Sequence, residues 1–265
     1  MTKRSDHKNT VRSKKQPLAT QIVNKIKEHI LSQKIPVGQG LPSERAMAKD
    51  FGVSRSVVRE ALRSLEQSGL VQIKAGANGG ASVADNRHLP LFFSAYDLSR
   101  AGVLTLDQFY VARRVNECAT IREACMRATA GDLDHLRQLN KKILAHDPDI
   151  EKARENHRAF HLAIAQIAGN PLLALIVHSL QLLVDTLCPA TGRDEIRNMY
   201  KRHEAIIEAL ESRDTALCES LMVLETRATK QLNLPVELTN QNPDTRTFFD
   251  KFKLSPSLGN DERNK

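Results

Sequence analysis

The chain has no Trp, and with three Tyr and eight Phe its aromatic content is only 4 %. Leu, Ala and Ile supply most of its apolar residues instead. That balance favours helix over sheet. No apolar run approaches the roughly 20 residues that a membrane-spanning helix needs. The N-terminus is basic, but no apolar segment follows it, so a signal peptide is not expected. Four cysteines, Cys118, Cys125, Cys188 and Cys218, are scattered without a CxxC pair. They read as reduced, mostly buried thiols of a cytoplasmic protein.

What is present is charge, unevenly placed. The net charge is +8 over 265 residues. Residues 1–86 hold 15 Lys and Arg against 7 Asp and Glu, and the remainder is balanced. A basic module joined to a neutral one suggests a polyanion-binding part and a part with another task. A soluble protein with a basic tail would show the same surplus, because Lys3 to Lys15 carry much of it.

Residues 1–17 are polar, basic and aperiodic, and read as a disordered arm. Ile22, Val23, Ile26, Ile30 and Leu31 then recur at helical spacing. Pro36, Gly38 and Gly40 mark a loop. Ser43 suits the cap of a helix that Gly52 stops, and Ser54 suits the cap of the next, which ends before Gly69. Leu70–Ile73 and Ala81–Ala84 read as strands about the Gly-rich turn 74–80. This order is a winged helix-turn-helix, residues 18–84. Residues 85–232 read only as helices, broken at Gly102, Gly131, Asp147-Pro148, Gly169-Asn170-Pro171 and Pro189 to Gly192. Short connections make neighbouring helices antiparallel, so this part is an all-helical bundle. The fold class expected is therefore mainly α, with a polar tail over residues 233–265.

The segment from Ser54 to Ser68 divides its faces. Val58, Ala61, Leu62 and Leu65 form an apolar stripe, while Arg55, Arg59 and Arg63 recur every fourth residue on another face. A recognition helix needs this division, since Arg forks pair with guanine edges and hold phosphates. Ser54 and Ser56 are small enough to let a phosphate approach the helix N-terminus. An ordinary amphipathic surface helix shows the same pattern.

Residues 18–84, and above all LPSERAMAKDFGVSRSVVREALRSLEQSGLVQIKAGANGGASVA from Leu41, resemble the DNA-binding domain of GntR-type regulators. The resemblance implies DNA contacts from Arg45, Arg55 and Arg59, and a wing around Lys74, Gly76 and Gly79 at the minor groove. The segments Arg113 to Glu117, FHLAIAQIAGNPLL from Phe160 and RHEAIIEALESRD from Arg202 resemble, more loosely, the FCD-type effector domain of the FadR branch, which implies that residues 85–232 bind an effector and dimerise. Such proteins are bacterial and normally homodimeric, so a short pseudo-palindromic operator in double-stranded DNA is implied.

Within the bundle, His157 and His161 lie one turn apart on the stripe of Phe160 and Ile164. His203 shares an apolar stripe with Met199, Ile206 and Leu210. Glu225 and His203 are equidistant from the turn at Asp214, so an antiparallel pair sets them level. Three imidazoles and one carboxylate suit a divalent transition metal, zinc first and nickel as the alternative. Each His taken singly fits equally well as a satisfied core residue. Relatives often hold a metal with an Asp, a His four residues later and two further His. His157 here takes the place of the Asp, and Glu225 that of the last His.

Arg113 lies on a partly polar stripe with Phe109, Asn116 and Thr120. A buried Arg needs an anion. Either an effector carboxylate, held by Arg113 and Asn116 beside the metal, or Glu117 in a structural ion pair supplies it. The function expected is a ligand-responsive regulator, a repressor, controlled by a small organic acid. An architectural DNA binder would not need inward polar groups. A metalloenzyme with a DNA-binding anchor is the other rival. Against it, Arg158 occupies the catalytic Glu position of an HExxH spacing and cannot act as a base.

Overall fold

The computed structural model describes residues 16–76, 79–145, 149–187 and 193–231, without the side chains of 193 and 229–231. Outside it lie most of the basic arm, the polar tail, Cys188, the wing tip at 77–78 and the breaks expected at Asp147-Pro148 and Pro189 to Gly192. The described residues fall into two compact units that divide after Asn86.

The first unit is a winged helix-turn-helix. Its helices are α1 (Leu18–Leu31), α2 (Glu44–Phe51) and α3 (Arg55–Gln67), followed by β1 (Val71–Lys74) and β2 (Gly80–Val83). Ser43 Oγ caps α2 by accepting from the Ala46 N–H, and Ser54 Oγ accepts from the Val57 N–H at the start of α3. Each such cap contributes about 1 kcal/mol. Gly52 closes α2 in the left-handed region at φ 65°, where a side chain is disfavoured. Val58, Ala61, Leu62 and Leu65 of α3 pack with Ala19, Ile22 and Ile26 of α1 and with Met47 and Ala48 of α2. Burial of one stripe of α3 leaves its Arg stripe outside.

The two strands pair antiparallel with Val71 opposite Val83 and Lys74 opposite Gly80. Both therefore sit about one residue from the expected spans. The reason is the loop before α2: Leu41 N–H donates to Ala81 O, and Gly38 N–H to Val83 O. That loop forms a third edge against β2 and fixes its register.

The second unit holds α4 (His88–Arg100), α5 (Leu106–Arg127), α6 (Ala130–Ala145), α7 (Ile150–Ile167), α8 (Pro171–Leu187), α9 (Arg193–Glu211) and α10 (Thr215–Gln231). Its main core joins Ile121 and Cys125 of α5, Leu136 of α6, Phe160 and Ile164 of α7, Ile206 and Leu210 of α9, and Met222 of α10. Cys125 and Cys218 are buried and Cys118 half-buried. One break differs from the sequence reading. Gly131 lies inside α6, and the chain turns earlier, at Ala128 and Thr129. The Thr129 N–H donates to Asp132 Oδ2, while the Asp132 N–H donates to Thr129 Oγ1. This reciprocal cap starts α6 ahead of the glycine. No helix among the described residues is long and apolar enough to cross a membrane.

Candidate metal centre and nucleic-acid interface

In the first unit, Arg45, Ser54, Arg55, Ser56 and Arg59 are all exposed, as are Lys74, Gly76 and Gly79 at the wing. The Ser54 and Ser56 hydroxyls lie 2.7 Å apart at the mouth of α3. Gly79 has a steric reason to be glycine, since a Cβ there would sit 2.2 Å from the Lys74 carbonyl oxygen. Arg59 does not stand alone. Its Nε and Nη2 donate to the two carboxylate oxygens of Glu44 at 3.0 and 2.8 Å, and Arg55 Nη2 lies 3.5 Å from the same carboxylate. In the DNA-free protein the fork of Arg59 is therefore engaged. Hydrogen bonding by Arg59 outweighs the slight desolvation and holds the Glu44 carboxyl below its ordinary value. Sequence reading gave Glu44 only a place in a first helical turn. Its 15-residue separation from Arg59 crosses a turn between helices, which periodicity does not report.

In the second unit the four expected ligands converge. His157 and His161 come from α7, His203 from α9 and Glu225 from α10. All four are buried, and one nitrogen or oxygen of each lies within 4.8 Å of the others. His157 Nδ1 is 3.2 Å from His203 Nε2, and each is 3.8 Å from Glu225 Oε1. The His203 ring stacks on Phe160, with centroids 3.9 Å apart. That contact fixes its plane.

Outer groups orient the inner ones. His161 Nδ1 lies 2.8 Å from Glu117 Oε2, which leaves Nε2 toward the cluster. That Nε2 is buried with no hydrogen-bond partner among the described residues. A ligating histidine characteristically gives its second nitrogen to a carboxylate in this way. Arg202 Nε donates to Glu225 Oε2, and Arg202 Nη2 to Glu195 Oε1 at 2.7 Å. Burial works against ionisation of Glu225, yet His203 and Arg202 hold its carboxyl well below the usual range. Burial and the neighbouring imidazoles keep His157 well below the ordinary histidine value, and burial lowers His203 too. Two neutral imidazoles and an ionised carboxylate are the forms in which these groups ligate. The donor set thus fits a divalent transition metal.

Arg113 is fully buried. Its Nε donates to Glu117 Oε1 at 2.7 Å, and Gln181 Nε2 of α8 donates to the same oxygen at 3.0 Å. Burial opposes it, but Arg113 and His161 bring the Glu117 carboxyl down to about 2. Glu117, one of the two anions weighed for Arg113, is paired with it here. Asn116 is half-buried, and its Nδ2 donates to Ala112 O of its own helix. Glu117 takes the inward place on that turn. Gln181, Glu195 and Arg202 escaped the sequence reading. Arg202 was adjacent to a candidate ligand and so had a signal; Gln181 and Glu195 had none.

Comparison with known proteins agrees with both units. The model for "Bacterial regulatory proteins, gntR family" matches residues 18–78, and that for the FCD domain matches residues 108–224. The HTH-type transcriptional regulator LutR of Bacillus subtilis is 29 % identical over 193 residues, spanning 70 % of this chain and 87 % of LutR. The HTH-type transcriptional repressor NanR of Cronobacter sakazakii is 32 % identical over 215 residues, spanning 76 % of this chain and 81 % of NanR. Among solved structures, Streptococcus agalactiae GntR aligns with a TM-score of 0.54 at 24 % identity, over 80 % of this chain and 99 % of that one, a likeness of fold. With a winged helix-turn-helix, an FCD domain and this identity to NanR, the chain belongs to the GntR family and is a DNA-binding transcription regulator, not an enzyme.

Proposed function

We propose that the chain is a cytoplasmic repressor that binds a pseudo-palindromic operator as a homodimer and responds to a small carboxylate bound in its FCD domain beside a divalent metal. The observation that carries the reading is the buried set of three imidazoles and one carboxylate, with His161 presented through Glu117. A metal held by His157, His161, His203 and Glu225, zinc first and nickel as the alternative, would supply a Lewis-acidic centre for a carboxylate. The name of NanR, a repressor, supports repression.

Electrostatics supports an anionic effector. The charged side chains linked to the cluster are Arg113 and Arg202 against Glu117, Glu195 and Glu225 itself. A divalent ion added to these leaves a positive surplus of one that a neutral ligand would not cancel. Arg113 then acts through Glu117 and His161, orienting a ligand of the metal, and the effector's own contacts need not include it. Arg45, Ser54, Arg55, Ser56, Arg59, Lys74, Gly76 and Gly79 form the surface offered to DNA. Arginines on α3 read bases, and the wing lies at the minor groove.

The test is a thermal-shift panel of organic and sugar acids on protein never exposed to chelator, repeated after chelation, with elemental analysis alongside. A ligand of the native state raises the melting temperature by mass action. About one zinc or nickel per chain, and a carboxylate that stabilises only the metal-bearing protein, are expected. No metal, and no stabilisation by added zinc or nickel, would make the histidines core residues.

A further inference from the structure

Glu225 differs in kind from the three imidazoles that it meets. A histidine offers a metal one ring nitrogen, whereas a carboxylate can offer one oxygen or both. With Glu225 giving one oxygen, His157, His161, His203 and Glu225 make four donors. With both oxygens engaged they make five. That difference decides whether a metal at the cluster keeps a position for a ligand from outside the chain.

The neighbours of Glu225 divide its two oxygens. Oε1 lies 3.8 Å from both His157 Nδ1 and His203 Nε2. Oε2 accepts from Arg202 Nε. Arg202 directly precedes His203 on α9, so one helix carries a candidate ligand together with the group that holds another. Arg202 is anchored in turn, since its Nη2 donates to Glu195 Oε1 at 2.7 Å. Glu195 lies two turns earlier on the same helix. Little water reaches the pair, because the side chains of Arg202 and Glu225 are 22 % and 0 % exposed. Charge matters as well. Two carboxylates and one guanidinium sum to −1, so Arg202 occupies an oxygen without cancelling the negative charge that draws a cation. An arginine without Glu195 would do the first and undo the second.

We propose that Arg202, anchored by Glu195, is a positioning residue that restricts Glu225 to Oε1 and so keeps a coordination position at His157, His161 and His203 open to an outside carboxylate. The inference deepens the metal-and-carboxylate reading above and rests on it. To swing Oε2 inward, Glu225 must surrender a charge-assisted hydrogen bond, which is roughly twice as strong as a neutral one. In a nearly dry site no water replaces that bond.

The test uses the full chain, stripped of metal and reloaded with cobalt(II), as wild type, Arg202→Met, Glu225→His and the double variant. Methionine fills the place of the arginine stem and donates nothing. Histidine at 225 gives one nitrogen and has no second oxygen to hold back. The visible bands of cobalt(II) report its coordination, and acetate is the probe of an open position. Acetate should shift the bands of the wild type. The shift should be lost in Arg202→Met, where both oxygens of Glu225 reach the metal, and retained in Glu225→His and in the double variant. Arg202→Lys keeps the charge but loses the fork, and should need about 10-fold more acetate for the same shift; it carries the test if circular dichroism shows Arg202→Met unfolded. A shift equal to the wild type's in both Arg202 variants would overturn the proposal. So would a shift lost in the double variant as well as in Arg202→Met, the result of a merely structural Arg202. A wild type that takes up cobalt(II) but ignores acetate has no open position, and the proposal falls while the metal site stands. A wild type that takes up neither cobalt(II) nor zinc removes both.

Discussion

Replacing Glu117 by Gln separates the two accounts of Arg113. The Glu117 carboxylate is buried and meets Arg113 Nε at 2.7 Å, His161 Nδ1 at 2.8 Å and Gln181 Nε2 at 3.0 Å. Gln keeps the volume and removes the charge. Arg113, fully buried, would lose its anion, and breaking one partner of a buried pair costs about 3–5 kcal/mol. Desolvation leaves no alternative, because a guanidinium cannot shed its proton. For a unit of this size each kcal/mol moves the melting temperature by about 2–4 °C, so a fall of roughly 6–20 °C is expected. The control is Glu219→Gln. Its partner Arg122 is exposed, and loss of an exposed pair is worth about 0.2–1 kcal/mol. Thermal and urea unfolding followed by circular dichroism gives both numbers. A Glu117→Gln loss no larger than that of Glu219→Gln would refute the ion-pair account and return Arg113 to the effector.

Arg55→Ala and Arg59→Ala should each lower operator affinity by about 1–3 kcal/mol with melting unchanged, measured by mobility shift at one salt concentration; wild-type affinity in either variant removes that residue from the interface. Glu44→Gln should raise affinity for non-operator DNA and narrow the ratio between operator and random duplex, because it removes a negative charge and releases the Arg59 fork; an unchanged ratio would show that Glu44 does not steer Arg59. His203→Ala should abolish copurified metal in elemental analysis while DNA binding by the winged unit persists; metal retained at the wild-type level would mean that His203 is not a ligand. Thr129→Ala should cost about 1 kcal/mol of unfolding free energy through loss of the α6 cap, and no change would remove the cap as the cause of the early break.

The elements were legible where the signal is local. Ser43, Gly52 and Ser54 announce the helix-turn-helix, and a stripe such as Val58, Ala61, Leu62 and Leu65 identifies a buried face before any fold is known. The meeting of His157, His161, His203 and Glu225 is legible because symmetry about one turn predicts height in an antiparallel pair, and Glu225 Oε1 does lie 3.8 Å from His203 Nε2. The α6 start was misplaced although Thr129 and Asp132 carried its signal, because Gly131 drew the break to itself. Contacts that decide chemistry were the least legible. Glu44 with Arg59 and Gln181 with Glu117 join different helices, and no period along one helix reports such a meeting. Asn116 lies within about 20° of Phe109 around the helix, yet it is half-buried and bonds its own backbone, while Glu117 is buried.

The central claim is that occupancy of the helical unit sets affinity of the winged unit for DNA. It is tested most directly by titrating metal-bearing wild type and His203→Ala with an operator selected from random duplexes, with and without a saturating carboxylate from the thermal-shift panel. Allosteric coupling amounts to about 1–3 kcal/mol, so the account predicts a shift of about 5- to 150-fold in operator Kd for the wild type and none for His203→Ala. An operator Kd that the carboxylate leaves unchanged in the wild type, or shifts equally in both proteins, would contradict it.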